Sequence, residues 1–362
     1  MRRTIATYFL TRIVALVVFL TTGSVCAAKG STESSEDGKS FNPKEMVMHH
    51  IEDSYEWHIT KIGDREISIS LPVIVKSSTG WHCFSSKHVM HGDGKYEGLY
   101  IAKEGEYAGK IVEDLSDGTQ KRPFDISITK TVTGLFINCT LLLILILCTA
   151  KQYKKREEID YHPGGFAGVM EWFIDSLIEG IIKPCVGDNY MKFTPYLLTA
   201  FFFIFINNLM GLIPFFPGGA NVTGNIAVTM VLAVATFLMV NIFGTKEYFK
   251  EIFWPDVPIF LKAIPIMPVI EFIGMFTKPF ALMIRLFANI MAGHAIILSL
   301  SCLIFATVQM GAAVNASMSA VSVLFMIFMN CLELLVAFLQ AYVFTMLSAV
   351  FIGLAQVEHE QE

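Results

Sequence analysis

Two long apolar segments near the end of the chain limit its fold more than any other feature. Residues 267–305 and 316–352 are each apolar for nearly forty residues, and the weakly polar stretch VQMGAAVNAS separates them. A helix that crosses a bilayer perpendicular to its plane needs only about twenty apolar residues. The segments therefore predict a hairpin of two transmembrane helices that are either strongly tilted or broken.

The composition indicates a membrane protein that crosses the bilayer several times. Hydrophobic residues make up 54% of the 362 residues and charged residues only 16%, which is too apolar for an ordinary soluble enzyme. No basic patch with interleaved aromatic residues indicates a nucleic-acid partner. The cysteines form no CxxC pair, so neither a metal centre nor a disulfide framework is expected. These cysteines are Cys26, Cys83, Cys139, Cys148, Cys185, Cys302 and Cys331.

Three more apolar segments precede the hairpin. The first, ISITKTVTGLFINCTLLLILILCTA, is followed by the basic stretch KQYKKREE, which marks the cytoplasmic side of the membrane. The other two are YLLTAFFFIFINNLMGLIPFF and NIAVTMVLAVATFLMVNIFG. Between the first and second spans, Glu171, Asp175 and Glu179 lie four residues apart and predict an amphipathic helix on the cytoplasmic surface. Counting spans places the turn of the hairpin outside and the C-terminal tail in the cytoplasm.

The N-terminal third is a different kind of sequence. Residues 1–27 have a basic start, an apolar segment and small residues before a cleavage point, which predicts a signal peptide. The alternative is a retained first span. Residues 28–126 include alternating stretches such as REISISLPVIVKS, which predict a small β-rich domain outside the cytoplasm, and residues 127–362 form the membrane domain. His49, His50 and His58 are expected to be solvated or packed rather than metal ligands.

The expected fold is thus an all-α polytopic membrane protein with an N-terminal addition. It has five transmembrane helices, an amphipathic surface helix and a small β-rich extracytoplasmic domain, and the last two helices form the long hairpin. No residue pattern indicates a cofactor.

Four charged side chains lie within the apolar hairpin, with three further polar groups. Ionisable residues in a membrane segment are costly, and they usually face protein or water and serve a transport pathway. The alternative is that they form structural pairs between helices, and Lys278 could reach the membrane surface. These residues are Glu271, Lys278, Arg285, Asn289, His294, Glu333 and Gln340.

Helical spacing divides these side chains into two groups. Arg285 and Asn289 lie on one stripe with Glu271 and Lys278. His294 is turned about 180° away from Arg285 at 3.6 residues per turn. In an antiparallel hairpin, two residues on opposite helices lie at the same height when their residue numbers add up to nearly the same total as those of other level pairs. This places Arg285 beside Gln340, and His294 beside Glu333 about 13 Å nearer the outside.

The two groups suit different chemistry. Arginine keeps its proton at physiological pH and therefore acts as a fixed positive charge, which favours ionisation of a nearby carboxylic acid. A histidine–glutamate pair can exchange protons near neutral pH. The arrangement predicts a proton pathway from the outside with a permanent cation as a barrier at its centre, and the carboxylate partner of Arg285 must belong to another chain.

The motifs RLFANIMAGH and LELLVAFLQAYVFTML resemble those of subunit a of the F-type ATP synthase. FINNLMGLIP and NIAVTMVLA are similar to the two middle spans of that family. The resemblance covers residues 124–362, about two-thirds of the chain, and the N-terminal domain is an addition similar to extensions in Bacteroidetes-like sequences.

This resemblance implies roles for individual residues. Arg285 would be the essential arginine that faces the c-subunit ring, whose buried carboxylates carry protons. Asn289 and Gln340 would line the same region, and Glu271 would lie toward the cytoplasmic half-channel. The chain would be the proton-translocating stator subunit of the Fo sector, coupling proton flow through two offset half-channels to rotor rotation and ATP synthesis.

The resemblance also implies an outer half-channel. His294 and Glu333 would belong to it, although the histidine and glutamate are often in the reverse order in this family. Asn208 and Asn225 match polar positions near the same pathway. Gly211 departs from relatives that have an acidic residue at this position, so that acid plays no part here.

The implied partners are the c-ring, the b-subunit stator, other ATP synthase subunits, the lipid bilayer and the transported proton. The chain contains no GxxxxGK[ST] loop, so it is expected to bind no nucleotide and not to be catalytic alone. The implied location is a bacterial inner membrane, with a periplasmic N-terminal domain.

Two other functions are alternatives. A secondary transporter would be expected to contain internal repeats, and the halves of this chain do not repeat. A membrane-anchored binding protein would leave Arg285 unexplained. The choice between protons and sodium ions stays open.

Overall fold

A computed structural model describes residues 53–62, 65–90, 94–102, 107, 109–114, 120–154, 165–213, 216–253 and 266–356. The predicted signal peptide, together with His49 and His50, lies outside the described residues.

The N-terminal region is β-rich, as the alternating sequence predicted. Its strands form three antiparallel sheets with the orders β1-β2, β4-β3-β9 and β5-β6-β7-β8. Val73, Val75, Phe84, Leu99 and Ile111 are buried in the core of this region. The strands are β1 (Glu56–Ile62), β2 (Arg65–Ser70), β3 (Pro72–Ser77), β4 (Gly80–Ser85), β5 (Lys95–Tyr96), β6 (Leu99–Ile101), β7 (Ile111–Asp114), β8 (Gln120–Lys121) and β9 (Phe124–Asp125), and a short helix α1 (Lys87–Met90) follows β4.

The rest of the described chain is helical. The segment predicted to be amphipathic forms a helix (Phe166–Leu177), a π-helical turn (Ile178–Ile182) and a short helix (Lys183–Val186) in succession. Trp172 is exposed, and Ile181 and Ile182 are buried. The helices are α2 (Lys130–Lys154), α3 (Phe166–Leu177), α4 (Lys183–Val186), α5 (Tyr190–Gly211), α6 (Ile226–Ile242), α7 (Lys246–Phe253), α8 (Ile266–Ala306) and α9 (Ala312–Gln356).

Among the described residues, α2, α5, α8 and α9 are long and apolar enough to cross a bilayer. Helix α6 has 17 residues, and it supplies a fifth span if it is counted together with α7, to which it is bent by 102°. The described chain is thus mostly helical with four or five candidate spans, as predicted.

The two long apolar segments are unbroken helices. Helix α8 has 41 residues and α9 has 45, so each is about 60 Å long or more at 1.5 Å per residue. Because the hydrocarbon core is about 30 Å thick, each helix must be steeply inclined or project beyond the core. The sequence predicted either strongly tilted or broken helices, and both helices are unbroken. Helix α8 is continuous even though it contains Pro279.

The chain divides into two compact units. The first contains residues 1–137, 210–222 and 294–331, and the second contains residues 138–209, 223–293 and 332–362.

In the first unit, the β-rich region contacts both the start of α2 and the loop that follows α5. Asp53 Oδ1 accepts a hydrogen bond from the backbone N–H of Thr131, 3.0 Å away, in the first turn of α2. The rings of Trp57 and Phe216 meet edge to face with centroids 5.2 Å apart. The β-rich region is therefore packed against this loop rather than only tethered to the chain.

In the second unit, a large apolar core joins α3 and α4 to the helices α5, α8 and α9. Phe193, Phe201, Leu286 and Phe344 are among its buried side chains. Helix α9 approaches the backbone of α4 closely at Gly353, where an added Cβ would lie 1.9 Å from the carbonyl oxygen of Cys185.

Candidate functional site

Arg285 lies on the exposed side of α8. Leu282 and Leu286, on either side of it in the sequence, are buried in the core, whereas the arginine side chain is exposed. Among the described residues, Arg285 makes no hydrogen bond or ion pair with a side chain of the chain. A guanidinium in this position can contact a group outside the chain.

The next turn of α8 is linked to α9 by two amides. Asn289 Nδ2 donates a hydrogen bond to Oε1 of the buried Gln340, 3.1 Å away. The hairpin register predicts Arg285 beside Gln340, whereas the amide bond forms one helical turn further along α8, at Asn289. Gln340 is thus bonded to Asn289, and the Arg285 side chain lies on the exposed surface.

Glu333 is buried on α9, with only 7% of its surface exposed. Its carboxylate lies against Gly293 of α8, where an added Cβ would be 2.8 Å from Oε1. The absence of a side chain at Gly293 therefore provides the space that the carboxylate occupies.

His294 follows Gly293 in the sequence and belongs to the first unit. Its Nε2 lies 3.3 Å from the carbonyl oxygen of Gly211, which can accept an N–H from the ring. Gly211 stands where the resemblance leads one to expect an acidic residue, and a Cβ added there would be 3.9 Å from the imidazole. In this chain a backbone carbonyl takes the place next to the histidine.

Asn208 is buried near the end of α5 and uses both ends of its amide. Its Nδ2 donates to the carbonyl oxygen of Ala337, 3.3 Å away, one turn beyond Glu333 on α9. Its Oδ1 accepts a hydrogen bond of 2.7 Å from the hydroxyl of Thr223. Thr223 is buried and was not identified from the sequence, because nothing in the local pattern shows which hydroxyl will reach an amide on another helix.

Asn225 begins α6 and acts as its N-cap. Its Oδ1 accepts a hydrogen bond of 3.0 Å from the backbone N–H of Ala227. An asparagine directly before a long apolar helix is a normal N-cap signal, so this local role could have been read from the sequence.

Glu271 is half-buried on α8, close to a narrow cleft between helices of the second unit. Glu271 lies within electrostatic range of Tyr248, which lines this cleft. The cleft has room for about 20 Å³, which is about one water molecule. It is lined by Thr236, Phe237, Val240, Asn241, Tyr248, Met275, Lys278, Pro279, Phe351 and Leu354.

Two further buried polar groups of the second unit were not predicted. Asn138 Nδ2 on α2 donates to Asn207 Oδ1 on α5 over 2.9 Å. The hydroxyl of Tyr196 is 2.7 Å from that of Thr236, which is 3.3 Å from the hydroxyl of Ser348. Polar residues inside predicted spans signal such contacts, but the sequence does not show how they pair. Within the described residues no group of His, Cys, Asp and Glu could hold a metal ion.

These features define the class of the protein: a multi-span membrane protein whose long helices hold ionisable and amide side chains within the bilayer, as ion-translocating proteins do. A family model described as ATP synthase A chain matches residues 134–353. The chain therefore belongs to the ATP synthase A chain family, subunit a of the F-type enzyme, and the membership predicted from its motifs is confirmed. A second model, a domain of unknown function (DUF8433), matches residues 46–126.

Individual relatives agree with this assignment. The chain is 46% identical over 241 residues to ATP synthase subunit a 2 of Chlorobaculum tepidum, a match that covers 64% of each chain. It is 44% identical over 242 residues to ATP synthase subunit a of Chloroherpeton thalassium, covering 66% of this chain and 68% of the relative. ATP synthase subunit a of an Anaeromyxobacter species is 32% identical over 355 residues, or 92% of this chain and 76% of the relative. The chain thus spans about two-thirds of the length of the first two relatives.

Proposed function

We propose that this chain is the proton-translocating stator subunit of the Fo sector and that Arg285 is its essential cation. The observation that carries the proposal is the exposed guanidinium on α8, which has no ion pair among the described residues. A permanent charge in an apolar segment is stable only beside water or an opposite charge. A carboxylate of the c-ring is a suitable partner.

The mechanism follows from the fixed charge. A proton from the outside neutralises a c-ring carboxylate, and the neutral carboxylic acid can then move through lipid as the ring turns. When this acid reaches Arg285 from the other side, the cation favours its ionised form, so the proton leaves. Each charge that crosses the membrane contributes about 2.3 kcal/mol per 100 mV of membrane potential.

Other side chains would carry the proton to and from this point. We assign His294, Glu333 and Asn208 to the outer half-channel and Glu271 to the cytoplasmic one. The Asn289–Gln340 bond supports this proposal because it orders the two helices next to Arg285. Asn225, in contrast, has a sufficient explanation as a helix cap.

The proposed setting is a bacterial inner membrane. The multi-span fold is shown by the family assignment, whereas the orientation is a proposal that rests on the basic stretch after the first span. In this orientation the β-rich domain is periplasmic and the C-terminus is cytoplasmic. The partners would be the c-ring, the b-subunit stator and the other ATP synthase subunits.

The test compares two cations on α8 by ATP-driven proton pumping in inverted membrane vesicles. In Arg285→Ala, pumping should fall to the level of uncoupled membranes. The guanidinium that favours ionisation of the c-ring carboxylate is then absent. Lys278→Ala removes an exposed cation seven residues earlier and should keep most of the pumping. Assembly of the complex is checked in both variants, and coupled pumping at a normal rate in assembled Arg285→Ala would contradict the proposal.

A further inference from the structure

The three-stranded sheet of the N-terminal region has one face that is not covered by the described chain. In its register Lys76 of β3 is opposite both Trp81 of β4 and Phe124 of β9. Directly paired residues of neighbouring strands project to the same face. The outward face of the sheet is therefore defined by Lys76, Trp81, Phe124 and, two positions further along, Ile126.

This outward face is apolar and strongly exposed. The exposed fractions are 60% for Trp81, 64% for Phe124 and 53% for Ile126, whereas Val73 and Val75 on the opposite face are buried in the core. Adjacent large apolar side chains at this level of exposure usually mark a binding surface. Neither the residues assigned to proton translocation nor the core of the domain account for them.

Basic side chains accompany the aromatic ones. Lys76 Nζ lies 5.8 Å from the centre of the Trp81 ring, and Lys121 and Arg122, just before Phe124, are both exposed. Aromatic rings together with lysine and arginine are typical of surfaces that rest at the boundary between lipid headgroups and acyl chains. The positive charges are complementary to anionic lipid headgroups.

The outward face is also close in the chain to the first long apolar helix of the membrane domain. The strand pairing extends past β9, since the N–H of Ile126 bonds to the Ile74 carbonyl and that of Ile128 to the Pro72 carbonyl. Helix α2 begins two residues later, at Lys130. Phe124 is thus within about 20 Å of the start of a membrane-spanning helix, at about 3.3 Å per extended residue.

We propose that the outward face of the sheet binds the anionic headgroup surface of the bilayer that α2 enters. Trp81, Phe124 and Ile126 insert at the interface, and Lys76, Lys121 and Arg122 contact lipid phosphates. The domain then lies on the membrane instead of projecting from it. This surface is separate from the proton pathway, so the proposal holds or fails independently of the role of Arg285.

Tryptophan fluorescence of the full chain in proteoliposomes tests lipid contact. A variant with Trp57→Phe, Trp172→Phe and Trp254→Phe keeps Trp81 alone, and vesicles contain phosphatidylglycerol with bromine on the acyl chains near the headgroup. We expect Trp81 emission to fall by roughly half relative to unbrominated vesicles, because interfacial groups enter the boundary by about 5–10 Å. A variant that keeps only the buried Trp57 is the matched control and should change little. Equal, weak quenching of both would overturn the proposal.

The basic residues give a second readout. A further variant keeps only Trp81 and combines Lys76→Glu, Lys121→Glu and Arg122→Glu. Quenching of Trp81 in this variant should fall toward the level of Trp57. Undiminished quenching would remove the electrostatic part of the proposal. If the tryptophan replacements prevent folding, a nitroxide spin label replaces them as the probe. It is attached to exposed Cys83 of the same sheet in a chain whose other cysteines are replaced. Lipid contact makes the label more accessible to oxygen than to a water-soluble nickel complex.

The assembled complex distinguishes lipid from protein as the occupant. A photo-reactive amino acid in place of Trp81, activated in native membranes, should attach mainly to phospholipid. A cross-link to another subunit, to a second copy or to residues 1–52 of the same chain would overturn the proposal and identify the true partner.

Discussion

At the scale of single residues, the polar side chains of the long helices depend on small neighbours for their positions. Glu333 is buried, and its Oε1 occupies space next to Gly293. A carboxylate in a proton pathway must be held in place, because displacement by about 1 Å can reduce the rate about 100-fold. In the proposed outer half-channel, Gly293 is therefore a positioning residue for Glu333.

Gly293→Ala should impair proton translocation without loss of the fold. The added methyl would lie 2.8 Å from Glu333 Oε1, so the carboxylate has to move, and overpacking of this kind costs about 1–3 kcal/mol. ATP-driven proton pumping should fall several-fold, and by up to about 100-fold. Gly274→Ala on the same helix is the control, because an added Cβ there meets nothing within 4 Å. Normal pumping in assembled Gly293→Ala would show that the position of the carboxylate is not critical.

The sequence predicted which residues of the hairpin are unusual but not how they are held. Arg285, Asn289, Glu333 and Gln340 stand out because polar groups in apolar helices are costly. Their contacts depend on the register between helices, which spacing within one helix gives only to about one turn. This is why Gln340 was placed beside Arg285, whereas the structure bonds it to Asn289.

At the scale of secondary-structure elements, the uninterrupted course of α8 is the feature that the sequence left open. Proline inside a helix removes a backbone hydrogen bond and often breaks the helix. Helix α8 nevertheless continues through Pro279, as neighbouring helices and local adjustments allow in membranes. The apolar segment predicts the length of the helix. Whether the helix is continuous and tilted or broken depends on how it packs against its neighbours.

The contact of α9 with α4 provides a prediction for these elements. At Gly353 an added Cβ would lie 1.9 Å from the carbonyl oxygen of Cys185, and a backbone atom cannot move as easily as a side chain. Gly353→Ala should therefore destabilise the protein by about 3 kcal/mol, the upper part of the range for overpacking. Thermal unfolding of the purified chain in detergent measures this.

Gly180→Ala is the matched control for this measurement, because Gly180 is in the neighbouring π-helical turn and an added Cβ would meet nothing within 4 Å. Equal unfolding temperatures for the two variants would show that α9 and α4 do not pack at this distance.

At the scale of the whole molecule, the sequence separated a β-rich region from a helical membrane region. Local alternation and apolar length are sufficient for that division. The attachment of the β-rich region to the loop after α5 could not be predicted, because Trp57 and Phe216 are far apart in the sequence. Trp57, with 2% of its surface exposed, joins the β-rich region to this loop.

Trp57→Ala should loosen the loop that follows α5 while the membrane helices stay folded. Replacing a buried tryptophan by alanine typically costs about 3–5 kcal/mol, and here the ring lost is the one that meets Phe216. Hydrogen exchange followed by mass spectrometry should show faster exchange in residues 216–222 and in β1. Trp81→Ala, which removes a ring that is 60% exposed, should leave exchange in both segments unchanged in detergent. Unchanged protection of residues 216–222 in Trp57→Ala would mean that the β-rich region does not stabilise this loop.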